Sequence, residues 1–532
     1  MRRKLDSATI KAANLAMQES KSHNGMALRI VPLILAHVLD LLNDDSKLNL
    51  DHTTFLSIAT TTAFFSKEGL HSGYLLSTMD SDIVQVDTTR FNWSAKSCTF
   101  TQCQASVHNP IFSCLGPLTR LMSLSIASVS DADALSALLI DLVSFTRSML
   151  VQWQQNKLSE IDPAEEQHFL SEASLRHTLP VFWQLLRGAL FSTLVLLKAV
   201  LSRVLGDLRL PSSLQLSTAI QSLYALRNMY FISSRQAGAD FSAYHFVHLT
   251  SIDILSQYPL QVETILQELK PSNNSKVSEH PVDRCHDLFY LNTVEQLAPV
   301  LTDGLAERHM VAAAMPYLSS GIDARLSEIF EAAHSVMLAV FSVPTNERLL
   351  SQHVHPYLDS LLQSFPQALS PRQFRLAIKT LVRVSSPPSQ IAATKPMLPS
   401  VVLELVRSRL ANATTSIVHP VRHQHNFVDT QLHLSEQASF ELAMIDSLPF
   451  LPIDLLEDWL LIVAESLTFV HDPIQAEICR NRIWEVMTEG EMDVDRASHC
   501  FSWWATQGGR EAVLGLHLQE GAIGTLHEDS RI

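Results

Sequence analysis

Helical periodicity runs from one end of the chain to the other. In 131–150, Leu135, Leu138, Leu139, Leu142, Phe145 and Met149 recur at three- and four-residue intervals and trace one apolar stripe. The corresponding stripe in 321–341 is Leu326, Phe330, Ala333, Met337 and Phe341, and in 452–467 it is Leu456, Trp459, Leu460, Val463 and Leu467. Start signals agree with these stripes. Ser370, Pro371 and Gln373 supply an N-cap hydroxyl, a proline at the first helical position and a capping-box partner three residues on. Asp454, Glu457 and Asp458 load the start of another helix with the charge that its dipole favours.

Four stretches interrupt the pattern. Residues 80–110 are polar and β-tolerant, and are expected to be irregular. Residues 270–281 read as a linker, and 385–400 and 412–432 as exposed loops. The predicted organisation is an N-terminal helical half over 1–269, a C-terminal helical half over 282–516 and a flexible tail over 517–532. No fixed repeat period is visible. Many short helices in series predict an all-α protein, an irregular α-solenoid of HEAT or armadillo type, with one large helical bundle as the alternative.

Composition sharpens this picture. There are 15 Gly among 532 residues, under half of the roughly 7% found in average proteins, so hairpins and glycine-rich phosphate loops are disfavoured. The formal charge of −15 repels phosphate backbones, which excludes nucleic acid as a primary partner. Six cysteines in so long a chain do not make a disulfide framework and read as free thiols. The most apolar segment, Val181 to Leu205, carries Arg187, Lys198 and Arg203, so it is predicted as a buried core helix pair rather than a membrane span. The basic start is broken by Asp6 and Lys11, which does not suit a signal peptide, and a soluble protein is expected.

Candidate chemistry is sparse. No phosphate-loop, zinc-protease, serine-hydrolase, kinase or EF-hand signature occurs, so no catalytic residue, metal ligand or cofactor is predicted. Cys98, Cys103 and Cys114 around His108 lack zinc-ligand spacing. His353, His355, His419, His423 and His425 offer metal-ligating nitrogens, but a polar loop that happens to contain histidine is the simpler reading. Arg372, Arg375, Lys379 and Arg383 recur on one helix face opposite Phe374, Ile378 and Leu381. In an acidic chain that stripe is a candidate partner-binding face, against the simpler reading of a solvated face. Trp503 and Trp504 read as helix packing rather than recognition.

The last three residues, Ser530, Arg531 and Ile532, follow the small, basic, branched-aliphatic pattern of the peroxisomal type-1 signal. Such a tripeptide is held by its carboxylate, its basic side chain and its terminal apolar group, and Ile532 departs from the usual leucine.

Five segments carry a resemblance to a known family. They are LFYLNTVEQLAPVL (288–301), EIFEAAHSVMLAVFSVP (328–344), LSPRQFRLAIKTLVRVSSPPS (369–389), ASFELAMIDSLPFLPIDLLEDWL (438–460) and IWEVMTEGEMDVDRASHCFSWWATQGGREAVL (483–514). The C-terminal half resembles the fungal peroxisomal biogenesis factor 8, or peroxin-8, family, some members of which carry the name of peroxin seventeen. The resemblance implies a non-catalytic scaffold at the matrix side of the peroxisomal membrane, in peripheral contact with it. It implies three sets of partners: the docking-complex peroxins, the RING-finger peroxins and the type-1 import receptor, the last engaged during cargo release. The alternatives are a generic helical-repeat scaffold outside the peroxisome and a peroxisomal matrix enzyme.

Overall fold

The computed structural model describes residues 2–22, 27–38, 41–87, 89–207, 209–235, 242–270, 276–320, 323–418 and 433–515. Ser530, Arg531 and Ile532, with the rest of the expected tail, lie outside the described residues, as do His419, His423 and His425. Among the described residues the chain is all-α apart from one small hairpin, and it divides into two compact units. One comprises Met1–Asn273 with Ser278–Thr293. The other comprises Asn274–Val277 with Val294–Ile532.

Two long helices form the heart of the N-terminal unit. Leu179–Gly206 packs against Leu115–Ser128 and Ser242–Ser256, while Ala132–Gln154 packs against Ser212–Asn228. The stripe expected in the second of these is buried throughout: Leu135, Leu138, Leu139, Leu142, Phe145 and Met149 all lose solvent contact. Ala132–Gln154 and Ser174–Gly206 are long and apolar enough to cross a membrane by length and composition. Inside the unit, however, neighbouring helices cover Phe182, Leu186, Leu190, Leu194 and Leu197. The segment read from sequence as a helix pair is a single helix, because no residue between Val181 and Leu205 breaks the hydrogen-bond ladder.

The stretch 80–110, expected to be irregular, forms a hairpin and a helix among its described residues. Ile83–Gln85 pairs antiparallel with Phe91–Trp93, with Ile83 opposite Trp93, and Ser97 then caps the helix Cys98–Val107. The hairpin delivers Trp93 into the core. Its indole N–H donates to the Thr99 hydroxyl at 2.9 Å, and that hydroxyl donates to Asp82 at 2.7 Å. Trp93 then meets Phe100 and Phe182 edge to face, and Phe182 continues the aromatic cluster through Trp153 and Trp183 to Phe231. A buried ion pair joins Arg284 to Asp162 at 2.7 Å, and Arg284 also donates to the carbonyls of Ser278 and Glu279. These bonds bring the start of the helix Pro281–Leu297 into the N-terminal unit.

The C-terminal unit is a series of helices in which sequence neighbours are spatial neighbours. Ser327–Ser342 touches Ala312–Leu318, Glu347–Ser364 and Pro371–Ser385, and the last of these touches Leu398–Leu410 and Glu436–Ile445. Such nearest-neighbour packing is that of a helical stack. The expected capping box forms: Ser370 Oγ accepts from the Gln373 N–H, and Gln373 Oε1 accepts from the Ser370 N–H at 2.9 Å. Phe365, Phe374 and Phe440 pack as a trio with centroids 4.4–5.3 Å apart. Glu436–Ile445 is enclosed on every side, with Gln437 to Ile445 all buried.

Candidate interaction surfaces

The four basic residues of Pro371–Ser385 have different surroundings. Phe374, Ala377, Ile378 and Leu381 form the buried face of the helix. Arg375 reaches Asp446 at 2.6 Å and Lys379 reaches Glu491 at 2.8 Å, with the Lys379 ammonium also 5.5 Å from the centre of the Phe450 ring. Arg372 and Arg383 are exposed. The structure therefore brings Arg375 and Lys379 into ion pairs within the unit and leaves the two end residues facing solvent.

Asp446 is the hub of this arrangement. It caps the buried helix Glu436–Ile445, and its second oxygen accepts from Arg482 at 2.8 Å. Arg482 also meets Glu485 and Glu489. Burial disfavours the charged form of Arg482, but the hydrogen bonds to Asp446 and Glu485 outweigh it and hold the guanidinium above its ordinary value. The second buried acid of the region is Glu441. Enclosure pushes its carboxyl up to about 8, and the 2.8 Å bond that it accepts from Ser466 opposes this only in part.

Several buried thiols and imidazoles are shifted away from nucleophilic or acid–base use at neutral pH. Burial pushes the Cys103 thiol up to about 12 and Cys500 to about 11, whereas activated thiols are lowered. Burial lowers His248 to about 4, and it lowers His286 and His334 to about 3. His334 donates to or accepts from the Tyr357 hydroxyl at 3.0 Å, a packing bond in the core. Of the cysteines weighed as ligands, Cys98 is exposed, Cys103 is buried and Cys114 lies 3.1 Å from His37. His108 is engaged with the carbonyl of Gln104. His353 is half-buried and His355 exposed. Among the described residues, no group of three or more His, Cys, Asp or Glu side chains could hold a metal ion.

An exposed aromatic cluster in the C-terminal unit qualifies the expectation that Trp503 and Trp504 both serve helix packing. Trp503 and Trp504 part company: Trp503 is buried, and a Cβ at Gly509 would sit 2.6 Å from its ring, so only glycine fits there. Trp504 is half-buried and lies 5.5 Å from Trp484, which in turn lies 6.2 Å from Phe501. Trp484 is 45% exposed and Phe501 42%. The signal for this surface was present. In Pro473–Thr488 the inward stripe is Ala476, Cys479, Ile483 and Val486, and Trp484 lies about 100° around the helix from Ile483. The exposed carboxylates Glu485 and Glu489 follow Trp484 on the same helix and its C-terminal flank.

Comparison with known proteins locates these features within a family. Residues 262–342 match the PEX8 central TPR-like domain, and residues 348–512 match the PEX8 C-terminal domain. The chain is 30% identical over 358 residues to the peroxisomal membrane protein PEX17 of Yarrowia lipolytica, covering 62% of this chain and 52% of that protein. It is 26% identical over 366 residues to peroxisomal biogenesis factor 8 of Komagataella phaffii, covering 60% and 51% respectively. For peroxisomal biogenesis factor 8 of Pichia angusta the figures are 25% over 362 residues, covering 64% and 50%. The chain spans about half the length of these relatives. A TPR-like central domain fits the nearest-neighbour helical stack, and the aromatic cluster and the Asp446 hub both fall inside the C-terminal match. Through residues 262–512, with the central and C-terminal domains in order, the chain belongs to the PEX8 family.

Proposed function

We propose that this protein is a non-catalytic adaptor of peroxisome biogenesis, held peripherally at the matrix side of the peroxisomal membrane. It bridges the docking and RING-finger complexes and contacts the type-1 import receptor during cargo release. The observation that carries the adaptor reading is the cluster of Trp484, Phe501 and Trp504, solvent-facing within the matched C-terminal domain. Aromatic side chains grouped at a surface are the usual anchors of protein interfaces, because each removes a large apolar area from water at low entropic cost. A partner segment with exposed apolar side chains suits this face, since the nearby Glu485 and Glu489 are already paired with Arg482. The peroxisomal setting is supported by the names of the relatives.

The test is co-purification from fungal peroxisomal membranes, comparing the wild-type chain with the Trp484→Ala, Phe501→Ala, Trp504→Ala triple variant. The adaptor reading expects docking or RING-finger components to be lost from the variant while its helical circular dichroism is kept. Equal recovery of both complexes would remove the aromatic face from the interface. Two further contacts are proposed from sequence. Ser530, Arg531 and Ile532 are assigned to the receptor, and their deletion should abolish binding to it in vitro; equal binding with and without them refutes that assignment. Arg372 and Arg383 are assigned to an acidic partner, and unchanged pull-downs of an Arg372→Glu, Arg383→Glu variant would return both to solvent.

A further inference from the structure

We propose that a recess in the N-terminal unit receives a carboxylate carried next to an apolar side chain of a partner protein. The recess holds about 290 Å³ and opens to solvent. It lies where the first turns of Leu179–Gly206 meet the short helix Glu166–Phe169 and the end of Tyr230–Ser233. That volume stands at the lower edge of known ligand pockets, which begin near roughly 300 Å³. It accommodates a pair of side chains but no large cofactor.

Trp183 makes the apolar platform. Edge contacts to Trp153 at 5.7 Å and Phe182 at 5.2 Å anchor its indole to the core, and Leu179 and Pro180 extend the apolar wall. Two guanidinium groups flank it, and their partners differ. Arg235 lies over the Trp183 ring, 4.3 Å from its centre, and is neutralised by an ion pair with Glu166. Arg187 stands one helical turn beyond Trp183. Its Nε donates to the Trp183 carbonyl at 3.3 Å, which orients the fork, and no acid among the described residues pairs with its remaining nitrogens.

Among the described residues the recess thus carries two positive groups and one negative group, in a chain whose formal charge is −15. A half-buried, oriented guanidinium without an acid is a preformed acceptor for one carboxylate. Glu166 limits the charge that can enter. It would repel a phosphate dianion, whereas a monoanion can sit on Arg187 with its apolar neighbour against Trp183 and Pro180. The carboxylate can belong to an acidic side chain or to a chain end, and both present the same chemistry. This assignment is independent of the adaptor reading and rests on residues outside the PEX8 match.

Three probes titrated into the full chain by calorimetry and ligand-observed NMR test it: acetyl-Glu-Phe-amide, acetyl-Gln-Phe-amide, and acetyl-Gln-Phe with a free carboxyl end. At least one of the two acidic probes should bind, in about the millimolar range, and the neutral probe should not. Binding by the first acidic probe alone points to an internal acidic residue, and by the second alone to a chain terminus. Arg187→Gln should weaken binding about tenfold, the value of one charge-assisted contact. Arg187→Lys, which keeps the charge but loses the fork, should fall between the two and serves if the glutamine variant fails to fold. Glu166→Gln should tighten binding, because it frees Arg235 for the incoming anion. A merely structural role for Glu166 would not produce that gain. Binding of the neutral probe as well as the acidic ones, no effect of the Arg187 variants, or weaker binding in Glu166→Gln would each overturn the proposal.

Discussion

In the N-terminal unit the longest buried helix, Leu179–Gly206, meets its neighbours through leucines and through the aromatic cluster centred on Phe182. In the C-terminal unit the helix Glu436–Ile445 is enclosed more fully still, yet it carries Gln437, Ser439 and Glu441 and ends on Asp446. The first arrangement draws its stability from apolar area and ring packing, which tolerate small displacements. The second depends on partners at fixed distances, because a buried polar group without its partner costs more than the pair contributes. The comparison teaches that helical stacks can be closed by two different chemistries within one chain. The family-matched region holds the polar variety.

The largest expected effect tests the apolar side. Phe182 is fully buried and touches Trp93, Trp153 and Trp183, so Phe182→Ala should cost about 4 kcal/mol in the unfolding of the N-terminal unit. Denaturant titration measures this, and a loss below about 1 kcal/mol would show that the ring cluster does not hold this unit together.

On the polar side, Asp446→Ala leaves Arg375 and Arg482 without the carboxylate they share, at a cost of about 3 kcal/mol to the C-terminal unit. Replacing all three with apolar residues of similar volume should return much of that loss, whereas the single variants should not. If the single and triple variants melt alike, the hub is not what closes this unit.

Glu441 sharpens the contrast through pH. Its carboxyl titrates near 4.5 in the unfolded chain and near 8 when folded, so the native state binds the extra proton between those values. Its contribution is whole below about pH 4.5 and is lost as the pH rises towards 8. The Glu441→Gln variant should therefore gain stability relative to wild type across that window, and parallel curves would show that the residue is already ionised.

The smallest effect belongs to the surface. Arg372→Glu with Arg383→Glu should change stability by no more than about 0.5 kcal/mol, whereas Arg375→Glu should behave like Asp446→Ala. The arginines of this helix would then separate into one that holds the fold and two that do not.

Much of the fold was legible in the sequence because local rules dominated it. The stripe Leu135 to Met149 and the capping box at Ser370 formed as the helical period and cap chemistry require. The hairpin at 83–93 was not legible, since strands of three residues are too short to show a period. Its order comes from Trp93 being received by Phe100 and Phe182, residues that its own neighbourhood does not announce. The recess beside Trp183 was hidden for a similar reason. Glu166, Arg187 and Arg235 are distant in sequence, and helical periodicity says nothing about which distant residues converge.

By itself, then, the sequence determined that the chain is helical, acidic, poor in turns that need glycine, and a relative of the peroxin-8 family. The first three follow from residue type and short-range spacing, and the last from the five segments that resemble the family. Only the tertiary structure decided that Arg375 and Lys379 face acids of their own unit, that Trp503 is interior while Trp504 joins a surface cluster, and that Glu441 is enclosed. The physical reason is that charge pairing and solvent exposure depend on what lies across the interhelical gap. In this chain the partners lie 71 residues away for Arg375 and 112 for Lys379.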